Sequence, residues 1–585
     1  SKTVVLLNTC NAMQMDFVND PRLGVDACLV IGGTGANGLA EIGKILSGAV
    51  NPSGHTADTY VYDNFSSPAM QNFGDQRYIT ESGELLGDDF ALINYGEGIY
   101  VGYKYYETRY EDKIMGTGNA GEYDYSSVVA YPFGYGLSYT SFSYSDFSLT
   151  EQDGLLTAQV RITNTGEVPG KDAVGLYYQA PYTNYDREQG VEKASVNLAD
   201  FAKTKELEPG ESELISFVLD PAETMKSYDA SGAGGYIMDP GTYYITLAQD
   251  AHEAVNQILA LKGYDMGHGM TSEGNASLAG AFEVAEFTRL DTDAVTGTPV
   301  TNQFDDATAL DGVYLSRNDW SVMDNNGLQY STETMVIDGR LQVGVHTADE
   351  ALIANLQNIG WEASGIPGHA QDPSEPLIDT PAGLELIDLA GASYDDPRWD
   401  ALISQAKVSE LHGLYNRAGY MTQAVESLGK PQTTDLDGGL GLANYLNNWH
   451  CFAYPAENVM SATWNQALAE KMGEFVGEEA LLTGISGWYA PAMNIHRTPF
   501  CGRNYDYYSE DPVLSGKLGA AEVRGASSKG MYTFIKHFAV NDQETKRSSL
   551  STWVQEQAMR EIYLKPFEIA IKEGGSTGVM ASMNR

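Results

Sequence analysis

The sequence predicts a multidomain protein of α/β plus all-β class: a partial α/β sandwich, a small antiparallel β-sandwich and a partial (β/α)8 barrel. Three observations predict it. Short apolar runs at 3–7 (TVVLL) and 26–31 (DACLVI) precede a helical stretch at 38–48. From about residue 139 the apolar period changes to two. From about residue 382, helical and short apolar strand-like segments alternate at a repeat of about 40 residues, the pattern of a parallel barrel.

Residues 1–140 are read as the C-terminal part of an α/β sandwich domain. In residues 141–265, TAQVRITNT (157–165), AVGLYYQA (173–180), LISFVLD (214–220) and GTYYITLAQ (241–249) are predicted strands between Gly, Pro and acidic turns. Residues 266–380, rich in Gly, Thr, Asp, Asn and Ser with weak periodicity, are assigned to a connecting region with some short strands. Residues 381–585 are the barrel, with helices over 455–483, 512–528 and 552–573. Its strands are placed at 488–495 (WYAPAMNI), 532–538 (YTFIKHF) and 577–583 (TGVMASM). Roughly 200 residues fall short of the ~250 of a complete barrel, so the N-terminal part of one is expected.

Composition narrows the function. A net charge of −44 and a pI near 4.4 would repel nucleic acid and anionic membrane, which favours a neutral small molecule or glycan as partner. No apolar run approaches the ~20 residues of a membrane span. The first residues read as a strand and not a signal peptide, which favours a cytoplasmic over a secreted location. Cys10, Cys28, Cys451 and Cys501 are too scattered for a disulfide framework or a zinc site, and Cys10 and Cys28 are read as buried thiols. No cofactor or metal is expected. Assembly with further copies of the chain is left open.

Polar residues crowd the predicted C-terminal strand ends: Asn494, His496 and Arg497, then Lys536 and His537, then Ser582 and Asn584. Barrel enzymes place their chemistry at that rim. Arg503 lies in a loop with Asp506, Tyr507, Glu510 and Asp511, where it is either a carboxylate-held donor fork for hydroxyls or part of a structural salt-bridge cluster. Lys536-His537 suits hydroxyl, phosphate or metal binding, or a satisfied core histidine. Asp437 before two glycines suits adjacent hydroxyls or simple turn chemistry. Gly33–Gly38 matches G-x-G-x-x-G, yet the second strand and ribose-binding acid of a dinucleotide site do not follow, so a loop at a domain interface is the preferred reading.

Gly-Arg-Asn-Tyr-Asp-Tyr-Tyr-Ser-Glu-Asp-Pro (502–512), Lys-His-Phe-Ala-Val-Asn-Asp (536–542), Tyr394–Trp399, Asn94–Tyr103 and Pro132–Tyr139 together resemble glycoside hydrolase family 3. The likeness reaches most of the chain outside 266–380, and residues 141–265 are similar to that family's fibronectin type III-like domain. The barrel comes last here, as in a minority branch of inverted order. The resemblance implies an exo-acting retaining β-glycosidase, foremost a β-glucosidase, working with two carboxyl groups about 5–5.5 Å apart on an oligosaccharide or β-glucoside. Asp437, Arg503, Lys536 and His537 match the residues that hold the terminal sugar, and Met580 matches a residue lining that subsite. Met583 stands where many members have tyrosine, and Asp506 where they have glutamate. The nucleophile aspartate is expected after Arg585 and the acid/base glutamate before Ser1. Ala539-Val540-Asn541 after the phenylalanine differs from the K-H-F-P-G-H motif of the family's β-N-acetylhexosaminidases. Alternatives are a β-xylosidase, a noncatalytic sugar-binding scaffold and a nucleotide-dependent enzyme using Gly33–Gly38.

Overall fold

The computed structural model describes residues 2–584 except 88, 309–313, 321–322, 325–326, 329–332, 338–339, 359–377, 418 and 444–450. Part of the expected connecting region, chiefly 359–377, therefore lies outside the described residues.

At the N-terminus, Val4–Leu7 and Ala27–Val30 pair in parallel, with the helix Leu39–Leu46 following. The glycine-rich loop between them is committed to packing. The Gly33 carbonyl accepts from the Ala456 N–H and the Ala36 N–H donates to the Ala453 carbonyl, both at 2.8 Å. Gly35 has φ +67°, and a Cβ there would collide with the backbone of Ala453 and Tyr454.

A second sheet of this unit runs Glu333–Ile337, Arg340–Thr347, Gln76–Ile79, Ala91–Asn94, Leu550–Trp553. Two of its strands come from distant sequence. Arg340–Thr347 pairs in parallel with Gln76–Ile79, and Leu550–Trp553 with Ala91–Asn94. The helix expected from 552 thus begins later: Trp553 ends a strand, its indole N–H donating to Tyr78 Oη at 2.7 Å.

The β-sandwich follows the predicted period. Leu155–Asn164 alternates buried positions with half-buried ones after an exposed Leu155. It lies between Ser212–Leu219 and Phe142–Gln152, facing the sheet Asn197–Lys203, Ala173–Gln179, Gly241–Ala248, Ala279–Val284. Leu156, Val160 and Ile162 of one sheet pack in one core with Leu176, Ile245 and Leu247 of the other. Ala279–Val284 continues the second sheet, and Thr288–Leu290 pairs with Gly235–Met238, so sandwich strands run past residue 265.

In the barrel region Thr433–Asp437, Gly487–Tyr489, Tyr532–Phe538 and Gly578–Ala581 pair in parallel in that order. The second strand, predicted over 488–495, pairs regularly only over Gly487–Tyr489. It is interrupted at Pro491, which has no N–H to donate, and meets the lysine strand again where Ala492 bridges Lys536. Helices Gln466–Thr483, Pro512–Ser527 and Lys565–Lys572 accompany these strands. Asn465 caps the first, accepting from the Leu468 N–H, and Gly484 ends it in the left-handed region. Asp511 caps the second ahead of Pro512.

All four cysteines are free. Cys501 is buried, while Cys10 and Cys28, expected to be buried, are half-buried.

Candidate active site

Strand ends and the loops after them bring four predicted residues together. Asp437 closes its strand and accepts from Lys536 Nζ at 2.5 Å, tying the first barrel strand to the third. The loop beyond Asp437 is held by Trp488, whose indole N–H donates to the Gly438 carbonyl at 2.6 Å. Arg503 donates through Nε and Nη2 to the two oxygens of Asp506 at 3.1 and 2.5 Å, a two-pronged pairing that fixes the guanidinium plane. Its Nη2 lies 3.4 Å from His537 Nε2.

That last contact sets the histidine's tautomer. Arginine can only donate, so Nε2 carries the lone pair and Nδ1 the proton. The Nδ1–H then donates to Tyr507 Oη at 3.1 Å, and that hydroxyl donates to the Asn541 carbonyl while accepting from Asn541 Nδ2 at 2.7 Å. Burial, reinforced by Lys536 and Arg503, lowers the imidazole pKa to about 2, so it stays neutral. Asn494 locks the histidine backbone from both sides: it accepts from the His537 N–H at 2.8 Å and donates to its carbonyl at 2.9 Å. Burial raises Asp506, with Arg503 opposing. Arg503 itself is held above its ordinary value because Asp506 outweighs the lowering effect of burial.

The result is a nearly charge-balanced cluster of directed donors and acceptors. Lys536 faces Asp437, Arg503 faces Asp506 and, at 3.6 Å, Glu544, and a neutral imidazole offers a ring nitrogen. Such a set can bind vicinal hydroxyls, each of which both donates and accepts. Met580 lies on Gly578–Ala581 beside the lysine strand; by alternation it shares with Gly578 the sheet face that carries Phe534 and Lys536. Met583 is 55% exposed and does not share the burial of the other members. Among the described residues no group of three or more His, Cys, Asp or Glu side chains could hold a metal ion. No described helix is long and apolar enough to cross a membrane.

The N-terminal unit contributes residues that sequence reasoning did not find. His496 Nδ1 lies 2.9 Å from both oxygens of Asp58. Burial alone would lower this histidine, but Asp58 outweighs it and raises its pKa. Arg497 pairs with Glu97 at 2.6 and 2.9 Å, both side chains fully buried, and stacks 4.1 Å over the Tyr95 ring. Glu510 accepts from the Thr59 N–H, the Thr59 hydroxyl and the Tyr103 N–H at 2.9, 2.7 and 2.8 Å. Burial, with Asp58 next, pushes Glu510 up to about 8. Both ends of the loop bearing Arg503 are thus anchored on residues about 400 positions away, a separation at which local spacing carries no signal.

This fold and rim define a class. Residues 413–584 match the glycosyl hydrolase family 3 N-terminal domain and residues 172–251 the fibronectin type III-like domain. The chain is thus similar to glycosyl hydrolase family 3 over its barrel region. It is similar to beta-glucosidase A of Butyrivibrio fibrisolvens, 29% identical over 98% of this chain and 63% of that protein. It is also 29% identical to a beta-glucosidase of Ruminococcus albus, over all of this chain and 53% of the relative. The crystal structure of a beta-glucosidase from Paenibacillus barengoltzii superimposes with a TM-score of 0.72 at 26% identity, covering all of this chain and 56% of that one. The chain therefore spans somewhat more than half the length of these relatives.

Proposed function

We propose that the chain serves an exo-acting retaining β-glycosidase, a β-glucosidase, in which Asp437, Arg503, Lys536 and His537 hold the terminal non-reducing glucosyl residue, with Met580 and Met583 bordering the subsite. The observation that carries the reading is the convergence of four side chains from three separate segments, joined by the Asp437–Lys536 bond and the Arg503–His537 contact. Similarity to two beta-glucosidases along nearly the whole chain supports the substrate class.

In this reading Arg503 and Lys536 donate to the hydroxyls of one pyranose, while Asp437 and His537 Nε2 accept from them. These contacts tighten as the ring distorts toward the transition state, so they act on both binding and turnover. The test is hydrolysis of an aryl β-D-glucoside by wild type and Arg503→Ala protein. The reading expects KM to rise and kcat to fall. Unchanged kinetics would contradict it.

A further inference from the structure

Away from the rim, a cavity of about 380 Å³ opens where three parts of the molecule meet. One wall is the helix Tyr103–Met115 of the N-terminal unit, a second the sandwich strands, and a third the barrel helices Pro512–Ser527 and Lys565–Lys572. That volume lies in the range of small-molecule sites.

The third wall includes a π-helical turn, Met559–Tyr563, which carries Arg560 and Glu561 to the cavity. Such turns are rare and occur often at functional sites. Facing it is Lys104, 5% exposed. Its ammonium donates to the Asn197 side-chain carbonyl at 2.6 Å, an amide partner where most buried lysines have a carboxylate. An ammonium has three donors, so donor capacity is left over. Glu561 takes its two bonds, from the Tyr228 N–H at 2.6 Å and the Gln557 amide at 3.1 Å, on one oxygen, leaving the other as an acceptor.

The lining decides the ligand class. Six cationic side chains and four carboxylates surround the space. Five of the cations are already paired with carboxylates (Lys226–Glu223, Lys517–Glu573, Arg560–Glu556, Lys565–Glu568 and Lys572–Glu568), which leaves little charge free for an anion. The rings of Tyr178 and Tyr236 stand among them. Mixed donors and acceptors beside aromatic surface suit a neutral polyhydroxylated molecule. We infer that this junction is a second saccharide site, taking a neutral mono- or disaccharide between Lys104, Glu561 and Tyr236. It is separate from the rim and independent of the function proposed for it.

The experiment is calorimetric titration of the protein with D-glucose and cellobiose. In Arg503→Ala protein, where the rim no longer competes, saccharide binding is expected to persist. Val295, 77% exposed at the cavity, can be enlarged without touching the core. Adding Val295→Trp to Arg503→Ala should weaken binding by about tenfold or more, as should adding Lys104→Met, with circular dichroism confirming folded protein. Loss of all saccharide binding in Arg503→Ala overturns the inference. So does binding indifferent to Val295→Trp, or a cavity that takes inorganic phosphate and no sugar.

Discussion

Arg503 and Lys536 bring two positive charges to the rim, and each is matched by a carboxylate that fixes its direction. Arg503→Ala removes the guanidinium that contacts His537 Nε2 and leaves Asp506 buried without its arginine partner. Glucose affinity of the rim site is expected to fall about 10- to 100-fold, the worth of charge-assisted hydrogen bonds, read in a binding titration of Val295→Trp protein with and without Arg503→Ala. Arg503→Lys should restore only part of it, because a single ammonium cannot reproduce the fork. His537 makes a distinct prediction. With its pKa near 2 it does not titrate between pH 5 and 8, so a pH series of glucose affinity should show no step centred near 6.5. A step there that disappears in His537→Gln would contradict the neutral-imidazole assignment.

Among elements, the loop 496–511 matters most, since it carries Arg503 and is anchored at both ends by the N-terminal unit. The helix Tyr103–Met115 starts at Gly102, with φ +56°, and a Cβ there would overlap the Glu510 carboxyl. Gly102→Ala therefore strains the backbone and displaces an anchor of the Arg503 loop. It is expected to cost more than about 1 kcal/mol in denaturant unfolding and to weaken glucose binding as well. The strand YTFIKHF was readable because it is short, apolar and followed by polar residues, whereas Thr433–Asp437, with a single apolar residue, gave only the Asp-Gly-Gly turn after it as a signal. WYAPAMNI was readable only in part, because its apolar content hid the break that the missing N–H of Pro491 makes between Tyr489 and Ala492. Asp506 was readable as the arginine's partner, being three residues away in the same loop. Asp58, Glu97 and Thr59 were not, because what makes them matter is a tertiary contact that no periodicity encodes. The same reason hid Leu550–Trp553, which leaves the barrel to join the N-terminal sheet.

The whole molecule is held by buried charge. Arg497–Glu97 joins the barrel to the N-terminal unit with both groups out of water. Glu97→Gln should cost about 3–5 kcal/mol, the penalty of a buried charge left alone, read as a lower denaturation midpoint. Buried acids add a pH dependence of definite sign. Burial pushes Glu522 up to about 8 and, with Glu522 beside it, raises Glu457 well above the usual carboxylate range. A carboxyl raised in the folded state gives stability that is complete below its ordinary value of 4.5 and lost as pH rises through about 8. Wild type should lose stability between pH 5 and 8, each such group contributing up to about 1.4 kcal/mol per pH unit. Glu522→Gln should flatten that slope, and an unchanged slope in thermal melts would count against it. The most direct measurement of the central claim is a crystal structure of the protein soaked with D-glucose. The account predicts one pyranose at the rim, its hydroxyls within hydrogen-bond distance of Asp437, Arg503, Lys536 and His537. A rim left empty under saturating sugar, or a hexose there that touches none of the four, would contradict it.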